Sequence, residues 1–301
     1  MKNLLFKSLC ILTLLLATGF SVNNETSTKG YDPTLCSLTI ASDSGISYEM
    51  IKIDRTGNRI KAYYMANSGS DGSIKNRYET FKRTHPNIVA YSAAAYMKPN
   101  SFGIYTPEGF TMDHGLLINE QLELTRFDAL VINYATGGIA VSDLREDKIT
   151  ADNVEYKIRS NPRDLANFKN WAKTNQATIF QTHLLAKDNT LLVKPANLNK
   201  VMYNEQRERR FLIASKDNTS GKVYHYIVNR DKTKPTYLYD GAKDAFNFLQ
   251  GRGINVTWMI NLDVGAQDAF GFNTSDGQPH SRIKGMASLD DALNLLVYYY
   301  E

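Results

Sequence analysis

The residues best placed to do chemistry lie in the stretch 254–272, where an apolar segment ends in Asn261 and Asp263. Apolar side chains alternate from Val256 onward as in a half-buried strand. Small residues beginning with Gly265 follow the carboxylate. A strand that ends in an amide and a carboxylate, followed by small residues, places polar groups where a ligand can approach the backbone. This stretch is therefore the leading candidate for a functional site. The alternative is that the Asp263 carboxylate only stabilises a turn or caps a helix.

Four further polar residues suit the same kind of site. Asp268 is a candidate second carboxylate for general acid–base work on a glycosidic bond, or else a solvated loop acid. Arg210 opens an apolar strand, and its guanidinium could hold a phosphate or carboxylate by two hydrogen bonds. We expect only one of Arg209 and Arg210 to face inward. Gln181 and His183 could line the same rim, although a strand histidine is often purely structural.

Several familiar catalytic signatures are missing from the sequence. It has no glycine-rich phosphate loop with its lysine, no G-x-S-x-G elbow and no H-E-x-x-H pair. The five histidines share no metal-ligand spacing. The sequence therefore predicts no metal site and leaves the cofactor open.

The N-terminal residues predict export. Lysines flank the start of an apolar run that is too short to span a membrane, and small residues follow it, so residues 1–21 read as a signal peptide. Removing them takes two lysines and no acid, which lowers the net charge from +4 to +2. That charge is too small to indicate nucleic acid as a partner. We expect a secreted or periplasmic protein with no membrane span after cleavage.

One cysteine, Cys36, remains in the mature chain, so an internal disulfide is excluded. We expect this thiol to be buried early in the first strand. Residues 22–36 are predicted to be a flexible leader, and residues 37–301 a single domain.

The periodicity favours an α+β fold. Helices are predicted over 73–83, 161–175 and 240–251, the last with Asp240 as its N-cap. Many strands lie between them, including a buried one over 87–97, but β and α segments do not alternate regularly. We therefore predict a mixed, largely antiparallel sheet core with a few flanking helices.

Five segments, in order, resemble motifs of the phosphodiester glycosidase family. Residues 261–267 are similar to its N-L-D-G-G-G-S signature, and residues 210–214 to its R-T-A-I-G strand. Residues 92–96, 107–110 and 181–185 resemble its N-G-G-F-F, P-x-G-L and P-x-L segments. The resemblance extends over residues 48–300.

The resemblance implies a hydrolase that cleaves a sugar similar to N-acetylglucosamine from a glycosyl phosphodiester. Arg210 would neutralise the phosphate, and Asp263 would position water or the sugar, or act as the acid–base group. The residues expected to bind substrate are Ser92, Gln181, His183, Asn261, Gly265 and Asp268.

This sequence also departs from the family pattern. One of three glycines remains after Asp263, and Ser92 stands where the family has asparagine. Extra Cβ atoms at Ala93, Ala94 and Val264 would crowd a site where ligand meets backbone. These departures motivate the alternative function, a non-catalytic protein that binds a glycan or a phosphosugar on the same scaffold.

Overall fold

The structure is a computed structural model of the 301-residue chain. It describes residues 36–67, 73–99, 103–193, 205–230, 233–264, 268–273, 279–284, 289 and 292–300, with backbone only at 268 and 279–284. The chain divides into two units, residues 1–30 and residues 31–301, and every described residue belongs to the second. The predicted signal peptide and most of the predicted leader lie outside the described residues.

Three helices lie within the described part of the chain, close to the predicted positions. Their bounds are α1 Ile74–Thr84, α2 Pro162–Thr174 and α3 Leu238–Gln250. The Ser73 side chain accepts a hydrogen bond from the Asn76 amide and so caps α1. The N-cap of α3 is Tyr237, so the prediction of Asp240 as its cap is wrong. Asp240 lies in the first turn, where its charge favours the helix dipole.

The described strands number twenty-one. In chain order they are β1 Cys36–Asp43, β2 Ile46–Asp54, β3 Ile60–Ala66, β4 Ile88–Ser92, β5 Met97–Pro99, β6 Tyr105–Pro107, β7 Thr111–Asp113, β8 Leu116–Asn119, β9 Ala129–Asn133, β10 Ile139–Asp143, β11 Lys148–Ala151, β12 Val154–Lys157, β13 Thr178–Thr182, β14 Leu184–Lys187, β15 Thr190–Leu191, β16 Arg210–Lys216, β17 Val223–Arg230, β18 Val256–Leu262, β19 Asp268–Asn273, β20 Pro279–Lys284 and β21 Asn294–Tyr300.

These strands form three main sheets and two hairpins. The seven-stranded sheet has the order β1-β2-β17-β16-β18-β14-β15, and two five-stranded sheets have the orders β10-β9-β13-β7-β8 and β20-β19-β4-β21-β3. Every strand pair within the described residues is antiparallel. The predicted α+β fold with a largely antiparallel core is confirmed.

One apolar cluster joins all three main sheets. It contains Leu212 and Ile260 of the seven-stranded sheet, Val131 and Phe180 of a second sheet, and Tyr298 of the third. α3 packs on the opposite side of the seven-stranded sheet, in a separate apolar cluster. The central strands of the large sheet are thus buried on both faces, so polar side chains on them need partners inside the protein.

Two sequence predictions near the site are corrected by the structure. The predicted strand over 87–97 ends at Ser92, and residues 93–96 connect it to the short strand β5. The predicted loop after Asp263 gives way to a strand, β19, which begins at Asp268 and pairs with β4 and β20. The Cys36 thiol is buried at the start of β1, as predicted.

No helix in the described ranges is long and apolar enough to cross a membrane.

Candidate functional site

The connection 93–96 runs past the end of β18. The backbone amide of Asp263, the first residue after β18, donates to the carbonyl oxygen of Ala94 at 3.2 Å. The Asn294 side chain fixes this connection from the start of β21. Its Oδ1 accepts from the amides of Ala94 and Ala95, each at 2.9 Å, and its Nδ2 donates to the Ala95 carbonyl oxygen at 3.1 Å. Two groups of side chains lie near the end of β18, one at each end of the connection.

The first group, the Arg210 cluster, consists of Arg210, Ser92, Asn229 and Phe270. Arg210 is fully buried. Its Nε donates to Asn229 Oδ1 at 2.6 Å, and its Nη1 donates to Ser92 Oγ at 3.2 Å. The guanidinium carbon lies 4.4 Å from the centroid of the Phe270 ring, a cation–π distance. The structure thus brings together two predicted site residues, Arg210 and Ser92.

The second group, the Tyr96 cluster, consists of Tyr96, His183, Arg209 and Asn261. Asn261 Nδ2 donates to Tyr96 Oη and, at 3.0 Å, to the carbonyl oxygen of Leu262. The His183 ring packs edge-on against Tyr96 at 5.4 Å. The backbone carbonyl oxygen of His183 accepts a hydrogen bond from the backbone N–H of Asn261 at 3.1 Å. Tyr96 is the partly exposed member, and the other three are buried.

Strand alternation places these two groups on opposite faces of the seven-stranded sheet. Arg210 pairs with Leu262, and Phe211 pairs with Asn261. Directly paired residues point to the same face, and successive residues point to opposite faces. Arg210 therefore shares the face of Leu262, toward the core between the sheets, whereas Asn261 shares the face of Phe211. The sequence predicts one common site for Arg210 and Asn261, and the structure does not bring their side chains together.

The arginine on the Asn261 side is Arg209. The expectation that one of these two arginines faces solvent is wrong, since Arg209 is 3% exposed and Arg210 is 0% exposed. Arg209 Nε donates to the Thr236 carbonyl oxygen at 3.1 Å, and Nη2 donates to the Glu205 carbonyl oxygen at 2.7 Å. Burial lowers the pKa of Arg209, and the nearby Tyr96 hydroxyl opposes that shift. The arginine remains charged, because its pKa starts far above neutrality.

Asn261 carries one polar atom that no described residue binds. The residue is 1% exposed, and its Oδ1 has no hydrogen-bond partner among the described residues. The orientation of the side-chain amide is fixed, because Nδ2 donates to the backbone carbonyl oxygen of Leu262, which can only accept. Oδ1 is therefore a buried acceptor available to a donor from outside the protein.

Asp263 is 7% exposed and follows directly after β18. Gly265 lies outside the described residues, as does the side chain of Asp268. The pairing of Asp263 with Asp268 as two acid–base carboxylates is therefore still a prediction.

The Gln181 side chain, in β13, holds two loops together by hydrogen bonds. Its Oε1 accepts from the Phe110 amide at 2.6 Å and from the Glu123 amide at 2.9 Å, and its Nε2 donates to the Glu123 carbonyl oxygen at 3.0 Å. Gly109 supports this packing with a φ of +80°, and a Cβ there would lie 2.7 Å from Gln181 Oε1. These contacts join Gln181 to two loops and not to the Tyr96 cluster.

The three alanines of the connection 93–96 are packed into the protein. Ala93, Ala94 and Ala95 are each at most 2% exposed, and the last two belong to the central apolar cluster. Their methyl groups therefore contact protein side chains and leave the backbone of this connection covered.

Sequence reasoning missed three polar residues, two that belong to the two groups and one that fixes the connection between them. Tyr96 was placed in a strand, although it lies in the connection that the alanines begin. Asn229 and Asn294 carried no signal, because a buried asparagine is recognised only by the backbone or charge that it meets in space. Arg209 was recognisable as a candidate, but the choice between neighbouring arginines required the strand register.

The described residues hold no group of three or more histidine, cysteine or acidic side chains that could bind a metal ion.

No family model matches this sequence, and no curated protein matches it.

Solved structures do resemble the chain at low identity. The catalytic domain of zebrafish N-acetylglucosamine-1-phosphodiester alpha-N-acetylglucosaminidase, auto-inhibited by its pro-peptide, is 12% identical with a TM-score of 0.49, over 88% of this chain and 82% of that one. A hypothetical protein from Synechocystis is 11% identical with a TM-score of 0.47, over 88% and 62%. A protein from Burkholderia pseudomallei that is described as exported is 9% identical with a TM-score of 0.44, over 84% and 74%. At these values the likeness is a distant one of fold, and it says nothing about activity.

Proposed function

We propose that this protein is an exported hydrolase of glycosyl phosphodiesters whose substrate binds at the end of β18, on the side of the Tyr96 cluster. The observation that carries the proposal is the buried Oδ1 of Asn261, which has no partner among the described residues and lies beside the partly exposed ring of Tyr96. A sugar hydroxyl or an acetamido N–H would supply the missing donor. An aromatic ring with a polar tip beside it is a suitable surface for a sugar.

The charges near this position suit the proposed bond cleavage. Arg209 would attract the phosphate, in place of Arg210, because it lies on the Asn261 side of the sheet. Asp263 would act as the acid–base group or position the attacking water. A phosphate monoester is a stable anion when it leaves, so binding its developing charge contributes more than protonating it.

The experiment is a hydrolysis assay on a panel of nitrophenyl glycosyl phosphodiesters. We expect turnover of at least one sugar, and a loss of about 100-fold or more in Asp263→Asn, the lower range for removing an acid–base group. The matched control is Asp143→Asn, since Asp143 is 8% exposed, close to the 7% of Asp263, and pairs with Arg145 in the turn between β10 and β11. An absence of turnover with folded protein on every substrate would overturn the hydrolase proposal.

A second function, glycan or phosphosugar binding without turnover, is favoured by the buried methyl groups of Ala93 and Ala94. In such a protein the connection would be packed for stability and closed to a reacting group. Saturable binding of a sugar 1-phosphate, weakened at least tenfold in Asn261→Leu and unaccompanied by hydrolysis, supports this alternative. Measurable hydrolysis that is lost in Asp263→Asn excludes it.

A further inference from the structure

A second set of polar atoms without a described partner lies between β3 and the sheet that contains β9, β13 and β7. Its members are Tyr64, Asp113, Asn133 and Thr178, none of which is more than 4% exposed. Five of their side-chain atoms have no hydrogen-bond partner among the described residues: Tyr64 Oη, Asp113 Oδ1, Asn133 Oδ1, Asn133 Nδ2 and Thr178 Oγ1. Buried polar atoms without partners are rare in folded proteins, so a cluster of them requires a reason.

The strand register brings these side chains together. Thr178 pairs directly with Asn133, and the next residue of β13, Ile179, pairs with Met112, the neighbour of Asp113. Asn133, Thr178 and Asp113 thus form one row across three strands. Tyr64 packs on the Phe180 ring at 4.7 Å, on the same side of β13 as Thr178. Asp113 is also close enough to raise the pKa of Tyr64, although burial is the larger cause.

We propose that these four side chains form a buried binding site for ordered water between the two sheets. Water both donates and accepts, and the cluster offers acceptors on Asp113 and Asn133 together with donors on Asn133, Tyr64 and Thr178. A metal cation fits less well for two reasons. It cannot accept the hydrogen bond of Asn133 Nδ2, and Arg77 already neutralises Asp113 at 2.5 Å, so a cation would leave a net buried charge.

The bound water would support the ion pair that anchors α1. Asp113 Oδ2 accepts from the Ala66 amide at 3.1 Å and pairs with Arg77, which also donates to the Ala66 carbonyl oxygen at 2.6 Å. Burial raises the pKa of Asp113, and Arg77 opposes that shift. A water that donates to Oδ1 favours the ionised carboxylate, and so preserves the charge that Arg77 binds. Arg77, whose side chain is 21% exposed, also lines a surface pocket of about 390 Å³ with Tyr63, so solvent reaches the arginine side of the ion pair.

The direct test is a high-resolution crystal structure of the protein, with a second crystal grown in rubidium chloride. We expect density within about 2.7–3.2 Å of the Asn133 amide and of Thr178 Oγ1 or Asp113 Oδ1, and no anomalous rubidium signal there. Direct hydrogen bonds among the four side chains with no density between them, or an anomalous peak, would overturn the proposal.

A solution test uses two valine substitutions in one strand. Thr178→Val removes an unused hydroxyl, whereas Thr182→Val removes one that donates to the Asn261 carbonyl oxygen at 2.6 Å. Relaxation dispersion of ¹⁷O water counts the long-lived internal waters. We expect at least one fewer in Thr178→Val than in the wild type, and no loss in Thr182→Val. Equal counts in wild type and Thr178→Val contradict the proposal, and the wild-type crystal structure decides the matter if a variant does not fold.

Discussion

Two consecutive arginines, Arg209 and Arg210, are both buried, but they do different things. Arg210 points into the core between the sheets, where Asn229 and Ser92 accept its hydrogen bonds and Phe270 covers its face. Arg209 points to the other side of the sheet, where backbone carbonyl oxygens hold it beside the partly exposed Tyr96 cluster. A shift of one position along the chain thus separates a guanidinium that is packed in the core from one on the side of the sheet where we propose that the substrate binds.

The comparison predicts its largest effect on stability at Arg210. Arg210→Met removes a donor from Asn229 Oδ1 and leaves that buried acceptor unpaired, so we expect a loss of about 2–3 kcal/mol in the free energy of unfolding. Arg209→Met is the matched variant and should cost less, because it loses hydrogen bonds to backbone carbonyl oxygens closer to the protein surface. Urea unfolding of both variants measures the difference. A larger loss in Arg209→Met would contradict the division of roles.

The second effect concerns His225, on the same face of the sheet as Arg210. His225 Nδ1 lies 2.8 Å from Tyr298 Oη, and burial, with Arg55 nearby, holds its pKa well below 6.5. Below about pH 6.5 the unfolded chain binds a proton that the folded chain does not. The free energy of unfolding therefore falls by about 1.4 kcal/mol for each pH unit by which the solution becomes more acidic. His225→Gln should lack that part of the slope.

Urea unfolding at pH 7.5 and at pH 5.0 tests the His225 prediction. The shared effect of carboxylates cancels when wild type and His225→Gln are compared. Identical pH dependence in the two proteins would show that the core side of the sheet admits a charged imidazole, and would weaken the description of that side as closed.

The smallest expected effect on stability is at Tyr96, on the other side. Tyr96→Phe removes the hydroxyl that accepts from Asn261 Nδ2, which retains the Leu262 carbonyl oxygen as its acceptor. We expect a loss of about 0.5–1 kcal/mol in the free energy of unfolding, the range of one partly exposed hydrogen bond. Affinity for a sugar 1-phosphate should fall about tenfold, as measured by calorimetry. Unchanged affinity would place the ligand away from Tyr96.

The elements were easier to predict than the faces of the sheet. Ser73 and the Asn161-Pro162 pair identify the starts of α1 and α2 because capping is a local interaction. The end of β18 at Asn261-Leu262-Asp263 is also local, since apolar alternation stops there. By contrast, no local signal shows that Asn294, over 190 residues from Ala95, holds the connection after β4.

The choice of Arg210 over Arg209 illustrates the same limit. A guanidinium next to an apolar strand predicts a buried or ligand-binding cation, but its direction depends on register with β18, which only the folded sheet defines. The predicted 87–97 strand likewise ends at Ser92 for a reason that is not local. The backbone of Ala94 forms hydrogen bonds with the Asp263 amide and the Asn294 side chain instead of with a neighbouring strand.

The most direct test of the central claim is kcat/KM for a nitrophenyl glycosyl phosphodiester in Arg209→Lys and Arg210→Lys, each corrected for the folded fraction. Lysine keeps the charge but loses the planar, two-pronged geometry that holds phosphate. If substrate binds on the Tyr96 side, Arg209→Lys should lose at least about tenfold, equal to about 1.4 kcal/mol, while Arg210→Lys stays within about threefold of wild type. The reverse result, with Arg210→Lys inactive and Arg209→Lys unaffected, would contradict the account.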